Sequence, residues 1–276
     1  MNRGRPIMEA LYNVPPLALL LVAIALAVTF ACAGQLYVHH RFRETDFVQH
    51  NEVGGFIVAI VGTLYAVLLG FLTIVVWQHF SETQGQVSRE SAAAADAWHT
   101  AVGLPYKART KIRHDLFTYA NIMIDQEWPA MRRGNYDFQA DIVVMDAMAA
   151  AGTYNPVNYR ESTAQAATQQ QLSILHDERV RRLTNNGTAV SWFEWLVLYI
   201  GGICVIGFCW LFGLRSTRVH LLMTSTVAIL IASMLVLLFE LQYPFRSSVG
   251  VRPDTWYGFI EHIHLMQSGT QHDMQM

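Results

Sequence analysis

The chain has 276 residues, and its formal net charge at pH 7 is −2. Hydrophobic residues make up 53% of it and charged residues only 14%, whereas soluble domains carry about 25% charged residues. This composition argues against a soluble globular protein, so each long apolar run has to be tested as a membrane span.

Four apolar segments are long enough to cross a bilayer, which takes about 20 helical residues. They cover residues 17–38, 55–76, 192–214 and 219–241, and the first two contain no Asp, Glu, Lys or Arg. The acidic residues of the other two, Glu194 and Glu240, lie close to a segment end. The sequence therefore predicts an all-α polytopic membrane protein with four transmembrane helices.

The arginines near the span ends predict the orientation. With four spans, the two termini and the segment between the second and third spans share one side. Eight arginines near the membrane lie on that side and four on the other, which predicts that the shared side is cytoplasmic. The predicted organisation is an N-terminal cytosolic segment (1–16), two spans (17–78), a helical cytosolic region (79–190), two further spans (191–241) and a C-terminal cytosolic tail (242–276).

The cytosolic region is predicted to consist of helices. An alanine-rich helix begins with Ser81 as its N-cap and ends at Gly103. A second helix covers residues 105–128 and stops at Pro129, and two more cover residues 138–150 and 160–185. We expect the long helices to run straight out of the second and third spans. Acidic and basic residues are nearly equal in number, so the region is not a nucleic-acid-binding arm.

Several motifs resemble those of the bacterial bestrophin-like family of unknown function. They are "GTLYAVLLGFLTIVVWQHFSET" on the second span, "RESAAAADAW", "DQEWPAM" and "RRL" in the cytosolic region, and "ELQYPF" at the end of the fourth span. The family is likened to the bestrophins, which are pentameric anion channels with four spans per subunit and a helical cytosolic body. The resemblance thus implies a homo-oligomer, a pentamer by likeness, that conducts small anions such as chloride.

The chain departs from the family pattern just after the fourth span. An acidic residue and a glycine usually flank the Pro-Phe pair there. In this chain Gln242 and Tyr243 precede the pair, and Arg246 follows it. An ion-site role of that acidic position is therefore not carried over.

The second span has a face of small residues and an opposite face of bulky ones. The small residues recur every three or four positions and are Gly55, Ala59, Gly62, Ala66 and Gly70. Such a stripe lets helix backbones approach closely, so we expect it to pack against a neighbouring helix or subunit. The alternative is that the glycines line a pore.

The bulky face includes Leu64, Leu68 and Phe71. Rings of such side chains from several subunits would form an apolar neck that gates by excluding water. In bestrophins the neck also lies on the second span, and the resemblance implies these three positions. The alternative is that the three side chains face lipid or the core of the subunit.

Polar residues near the membrane supply two further candidate sites. Glu194 and Glu240 lie at matching span ends, where they are either solvated termini or a paired cation or proton site. Asp46 and His50 are four residues apart in a loop, a spacing that suits a divalent metal ion. The alternative for this pair is that histidines simply flank a span at the interface.

The second cytosolic helix carries two like-charged pairs at i,i+4 spacing. Lys107 lies four residues before Lys111, and Arg109 four residues before Arg113. Because such pairs repel, we expect partners that offset them. Acidic residues from other helices are one source, and an anion vestibule or anionic lipid is the other.

Nucleotide-binding, hydrolase, zinc-protease and redox motifs are absent from the sequence, so we expect neither an enzyme nor a cofactor. The predicted function is an oligomeric bestrophin-like channel of the bacterial inner membrane, whose partners are the lipid bilayer, its own copies and small anions. The alternative is a non-conducting oligomeric membrane scaffold or regulatory protein whose cytosolic helices bind a partner.

Overall fold

The computed structural model describes residues 12, 14–42, 51–214 and 216–273, with side chains up to residue 266. Within these ranges the chain is helical and contains no strand, which confirms the predicted all-α class. The helices are α1 (Pro16–Arg41), α2 (Asn51–Thr100), α3 (Tyr106–Ile122), α4 (Trp128–Arg132), α5 (Gln139–Gly152), α6 (Tyr159–Thr184), α7 (Trp192–Trp210), α8 (Thr217–Leu241) and α9 (Asp254–Asp273).

Four of these helices, α1, α2, α7 and α8, are long and apolar enough to cross a membrane. They contain the predicted spans, except that α7 ends at Trp210, four residues before the predicted limit. The Asn51 side chain bonds to the backbone just after this helix end. Its amide nitrogen donates to the Gly213 carbonyl at 2.7 Å and its amide oxygen accepts from the Gly213 N–H at 2.9 Å. These bonds satisfy the Gly213 backbone outside a helix.

Helix α2 is continuous over 50 residues, a length of about 75 Å. It ends in a 3₁₀ turn over Ala101–Gly103, close to the predicted limit.

The third span is not continuous with a helix of the helical body, because α6 ends at Thr184 and Ser191 caps a separate helix, α7. The expectation that a long helix runs straight out of the third span was therefore wrong.

The chain divides into two compact units. The membrane unit comprises Met1–His79, Thr188–Tyr243 and Ser247–Val249, and the helical body comprises Phe80–Gly187, Pro244–Arg246 and Gly250–Met276. In the membrane unit, α1 packs through Ala31 against Ile206 of α7 and Ala228 of α8. A Cβ added at Gly34 would lie 2.2 Å from the Trp210 ring, so only glycine fits beneath that ring.

The helical body has one large apolar core, to which α2, α3, α5, α6 and α9 contribute. The segment after residue 242, predicted as a C-terminal cytosolic tail, contains α9, and Trp256, Phe259 and Ile263 of α9 are buried. Their spacing of three and four residues is that of an amphipathic helix and was the available signal.

The expected helix stop at Pro129 was also wrong. A π-helical turn over Met123–Glu127 follows α3, and the chain remains helical to Arg132. Pro129 lies in the first turn of α4, where a missing N–H is tolerated. The wider π turn thus accommodates Pro129, which would break a regular α-helix.

Candidate functional site

Helix α2 packs within the membrane unit through a face that carries Tyr65, Leu69, Leu72 and Val76, all of them buried. The Tyr65 hydroxyl donates to the Leu198 carbonyl of α7 at 3.2 Å. This contact joins the packed face of α2 to α7, and the other faces of α2 remain open.

The bulky face that was predicted as a pore neck is open in the single chain. Leu64 is 67% exposed and Phe71 is 65% exposed, while Leu68 is half-buried. Steps of four and three residues place the three side chains on the same side of the helix. The structure thus groups them on a surface that is free to contact lipid, a pore or another subunit, and their role as a neck stays a prediction.

The small-residue stripe is open as well. A Cβ added at Gly62 or Gly70 would meet no atom within 4 Å, and at Gly55 the nearest is a Phe212 ring atom at 4.0 Å. Ala59 and Ala66 are exposed. Within the described ranges, no helix of the same chain packs closely on the stripe between residues 59 and 70. Its packing against a second subunit stays a prediction.

The close approach of α2 to a neighbouring helix occurs instead at two glycines of α7. A Cβ added at Gly201 would lie 2.5 Å from the Tyr65 ring, and one at Gly202 would lie 3.2 Å from the Tyr65 hydroxyl oxygen. The sequence analysis missed this site. The adjacent glycines in the third span were the signal that could have revealed it.

The two carboxylates at the membrane edge each have a local partner. Glu194 forms a capping box with Ser191, in which the Ser191 N–H donates to Glu194 Oε2 at 2.6 Å and the Glu194 N–H donates to Ser191 Oγ at 3.3 Å. Glu240 is buried and accepts a hydrogen bond from the Ser247 hydroxyl. Helix capping accounts for Glu194. A cation or proton role of the two carboxylates stays a prediction.

Gln242, where the chain departs from the family pattern, is buried and joins several parts of the membrane unit. Its amide oxygen accepts from Trp195 Nε1 at 2.9 Å and from the Thr188 hydroxyl at 3.1 Å, and its amide nitrogen donates to the Tyr12 hydroxyl oxygen at 3.2 Å. A carboxylate could accept the first two bonds but could not donate the third. The amide therefore suits this place better than an acid.

A buried network of four charged side chains lies in the helical body. It contains Glu90 from α2, Glu127 from the π turn, and Arg179 and Arg182 from α6, each at most 2% exposed in its side chain. Arg182 Nε lies 2.6 Å from Glu90 Oε2, and Arg182 Nη2 lies 2.9 Å from Glu127 Oε1. Arg179 also forms an ion pair with Glu127. Two carboxylates thus balance two guanidinium groups.

Further side chains complete the surroundings of Arg182. The Tyr119 hydroxyl donates to Glu90, the Trp128 ring centre lies 5.8 Å from the Arg182 guanidinium carbon, and Met131 Sδ accepts from Arg182 Nη1 at 2.8 Å. Burial favours loss of charge and lowers the pKa of Arg182, but the Glu90 and Glu127 carboxylates more than offset this, and the pKa is raised. Arg182 is therefore charged at all physiological pH values.

Three of the five motifs behind the resemblance meet in this network. "RESAAAADAW" contains Glu90, "DQEWPAM" contains Glu127, Trp128 and Met131, and "RRL" contains Arg182. The sequence analysis quoted the three motifs without assigning roles to these residues. Because Glu90 and Arg182 are 92 positions apart, neither spacing nor periodicity could pair them.

One member of each like-charged pair of α3 has partners within the helical body. Lys111 Nζ lies 2.6 Å from Asp115 on its own helix and 3.9 Å from Asp146 on α5, so an acid of another helix is the more distant partner. Arg113 donates to the Trp98 carbonyl at 3.1 Å and its guanidinium carbon lies 4.9 Å from the centre of the Trp98 ring. These contacts stabilise Lys111 and Arg113 without a bound anion.

The weak metal candidates Asp46 and His50 lie outside the described residues. Among the residues that the structure does describe, no group of three or more His, Cys, Asp or Glu side chains is placed to hold a metal ion.

Comparison with known proteins gives a match at the level of the family. The family model of the Bestrophin-like domain matches residues 25–256. No curated protein and no solved structure gives a significant match. The matched range contains most of the chain, including the open faces of α2 and the buried charged network.

Proposed function

The chain belongs to the bestrophin-like family, and from this premise we propose that it is an oligomeric membrane channel that passes small anions such as chloride. The open bulky face of α2 is the observation that supports this proposal. Leu64 and Phe71 are two-thirds exposed, although Tyr65 and Leu69 on the adjacent face of the same helix are buried. Several copies of this face around an axis would form an apolar neck.

The proposed assembly uses two sides of α2 at once. At about 100° per residue, Gly62 and Leu64 lie roughly 160° apart on the helix, so the small-residue stripe can contact a neighbouring subunit while the bulky face lines the axis. By resemblance the assembly is a pentamer in the bacterial inner membrane, with both termini in the cytoplasm.

Chloride flux from liposomes tests the proposal. Leu68→Ala together with Phe71→Ala widens and wets the neck, so flux should rise well above that of the wild type. Stability should change little, because Phe71 is largely exposed and Leu68 only half-buried in the subunit. Leu21→Ala with Leu26→Ala on α1 is a matched control, since both leucines are exposed on a span that is not proposed to line the axis.

A second control separates the neck from the packed face of the same helix. Leu69→Ala on that face should lower the free energy of unfolding by about 2–5 kcal/mol without increasing flux. If the Leu68/Phe71 double variant shows the same loss of stability and no flux, the two residues are packed. The non-conducting scaffold would then be the better explanation.

A further inference from the structure

We propose that a loop of the helical body binds the surface of an anionic bilayer. The loop covers residues 132–138 and is called the interface loop below. Arg132 and Arg133 contact lipid phosphates, and the rings of Tyr136 and Phe138 lie in the interfacial layer. The inference is independent of whether the protein conducts ions.

The interface loop exposes two aromatic rings. Tyr136 is 52% exposed and Phe138 is 66% exposed, and the two rings form an edge-to-face pair with centres 5.1 Å apart. An exposed pair of this size is unfavourable in water. Tyr is favoured at the level of the lipid headgroups, where its ring is apolar and its hydroxyl wet, and Phe occurs on the apolar face of segments that lie in the interface.

The loop also carries a net positive charge, since two arginines stand against one aspartate. Arg132 and Arg133 are exposed, and neither belongs to an ion pair among the described residues. Asp137, the acid of the loop, accepts the Gln139 backbone N–H at 2.7 Å through its carboxylate. Two free guanidinium groups beside aromatic rings match an anionic headgroup layer, because arginine binds phosphate in a two-point geometry.

The conformation of the loop is set by the helical body itself. Gly134 adopts φ 75°, its N–H donates to the Met131 carbonyl at 2.8 Å, and the Asn135 N–H donates to the Ala130 carbonyl at 3.0 Å. The Arg246 guanidinium lies against Gly134, where an added Cβ would be 2.4 Å from Arg246 Nη2. A preformed loop loses little conformational entropy when it binds a surface.

Two contacts tie the loop to chain segments that lead directly into the membrane. The Asn186 amide donates to the Asn135 carbonyl at 3.2 Å, and Asn186 precedes the first residue of α7 by six positions. Arg246, which lies against Gly134, follows the last residue of α8 by five positions. Because an extended residue spans at most about 3.6 Å, both residues are tethered within roughly 20 Å of a span end. Because α7 and α8 are consecutive spans, the start of α7 and the end of α8 lie on the same side of the bilayer.

The start of α6 offers a matched control in the same unit. Tyr159 is 88% exposed and precedes the exposed Arg160, so its chemistry is similar to that of the interface loop. It lies at the other end of a 26-residue helix, however, about 38 Å along α6 from the Asn186 tether. Tyr159 therefore lacks the short tether to a span end that the interface loop has.

Quenching by headgroup-labelled lipid tests the proposal in nanodiscs. The three cysteines are replaced by serine, and Phe138→Cys or Tyr159→Cys is labelled with an environment-sensitive fluorophore. In discs of phosphatidylcholine with 30% phosphatidylglycerol, we expect nitroxide headgroups to quench the label at position 138 at least about threefold more than the label at 159. Arg132→Gln with Arg133→Gln should reduce the quenching at 138 to the level at 159.

Other results would overturn the proposal. Equal quenching at both positions would show that the loop does not lie at the bilayer. Quenching that is the same in pure phosphatidylcholine, or unchanged in the arginine variant, would show that no anionic surface is recognised. A blue-shifted label at 138 that lipid does not quench would show that a second copy or another protein covers the loop. Elution volume and melting temperature establish that each variant is folded.

Discussion

Arg182 and Glu90 form a two-point ion pair that is sealed from solvent. Arg182 Nε lies 2.6 Å from Glu90 Oε2 and Arg182 Nη2 lies 3.1 Å from Glu90 Oε1, and both side chains are 0% exposed. The pair joins α2 to α6 across 92 residues of sequence. Each charge is tolerable in the core only because the other is present.

Arg182→Met should strongly destabilise the helical body. It leaves the Glu90 carboxylate buried without its main partner, which costs about 3–5 kcal/mol of unfolding free energy. Denaturant unfolding in detergent, followed by circular dichroism, measures the change. Arg252→Gln is the control, because the pair of Arg252 with Asp254 is 75% and 67% exposed and should contribute less than about 1 kcal/mol. Similar small shifts in both variants would contradict a structural role of the network.

Tyr119 should make stability depend on pH under alkaline conditions. Burial, with the Glu90 carboxylate next in effect, raises the pKa of Tyr119 well above its ordinary value of 10.0. Because the pKa is raised in the folded state, the contribution of the neutral Tyr119 hydroxyl to the free energy of unfolding is complete below pH 10. It is lost as the pH rises further. We expect the free energy of unfolding to fall by up to about 1.4 kcal/mol per pH unit in that range. Tyr119→Phe should lose this slope, and an unchanged slope in denaturant titrations would refute the assignment.

Leucine substitutions at two glycines should separate assembly from folding. Gly62→Leu meets no atom of its own chain, so it should leave the subunit folded but dissociate the oligomer, as measured by light scattering in detergent. Gly201→Leu would collide with the Tyr65 ring 2.5 Å away and should lower the melting temperature. A Gly62→Leu protein with the wild-type oligomer would show that the stripe is not a subunit contact.

Cysteine labelling of intact cells should reveal the topology. A cysteine introduced at Ser216, between α7 and α8, should react with a membrane-impermeant thiol reagent applied outside. A cysteine introduced at Ser162, on α6, should react only after the cells are opened. The opposite pattern would contradict the orientation that the arginine distribution predicts.

The family resemblance and much of the secondary structure were predictable from the sequence. The Bestrophin-like match to residues 25–256 confirms the resemblance. The four helices that are long and apolar enough to cross a membrane lie where the sequence predicts spans. The errors at Pro129 and at the end of α7 lie where the backbone departs from a regular α-helix, at a π turn and at the segment that bonds to the Asn51 side chain. Neither feature is visible in the local periodicity of the sequence.

The sequence by itself determined that this is a four-span helical membrane protein, because an uncharged run of about 20 residues can satisfy its backbone in lipid only as a helix. It also determined the two contrasting faces of α2, since helical periodicity is a local property. The tertiary structure decided that Tyr65 and its neighbours form the packed face of that helix, and that Glu90, Glu127, Arg179 and Arg182 meet in one buried network. Such contacts depend on how distant segments pack against each other, and periodicity within one helix carries no information about that packing.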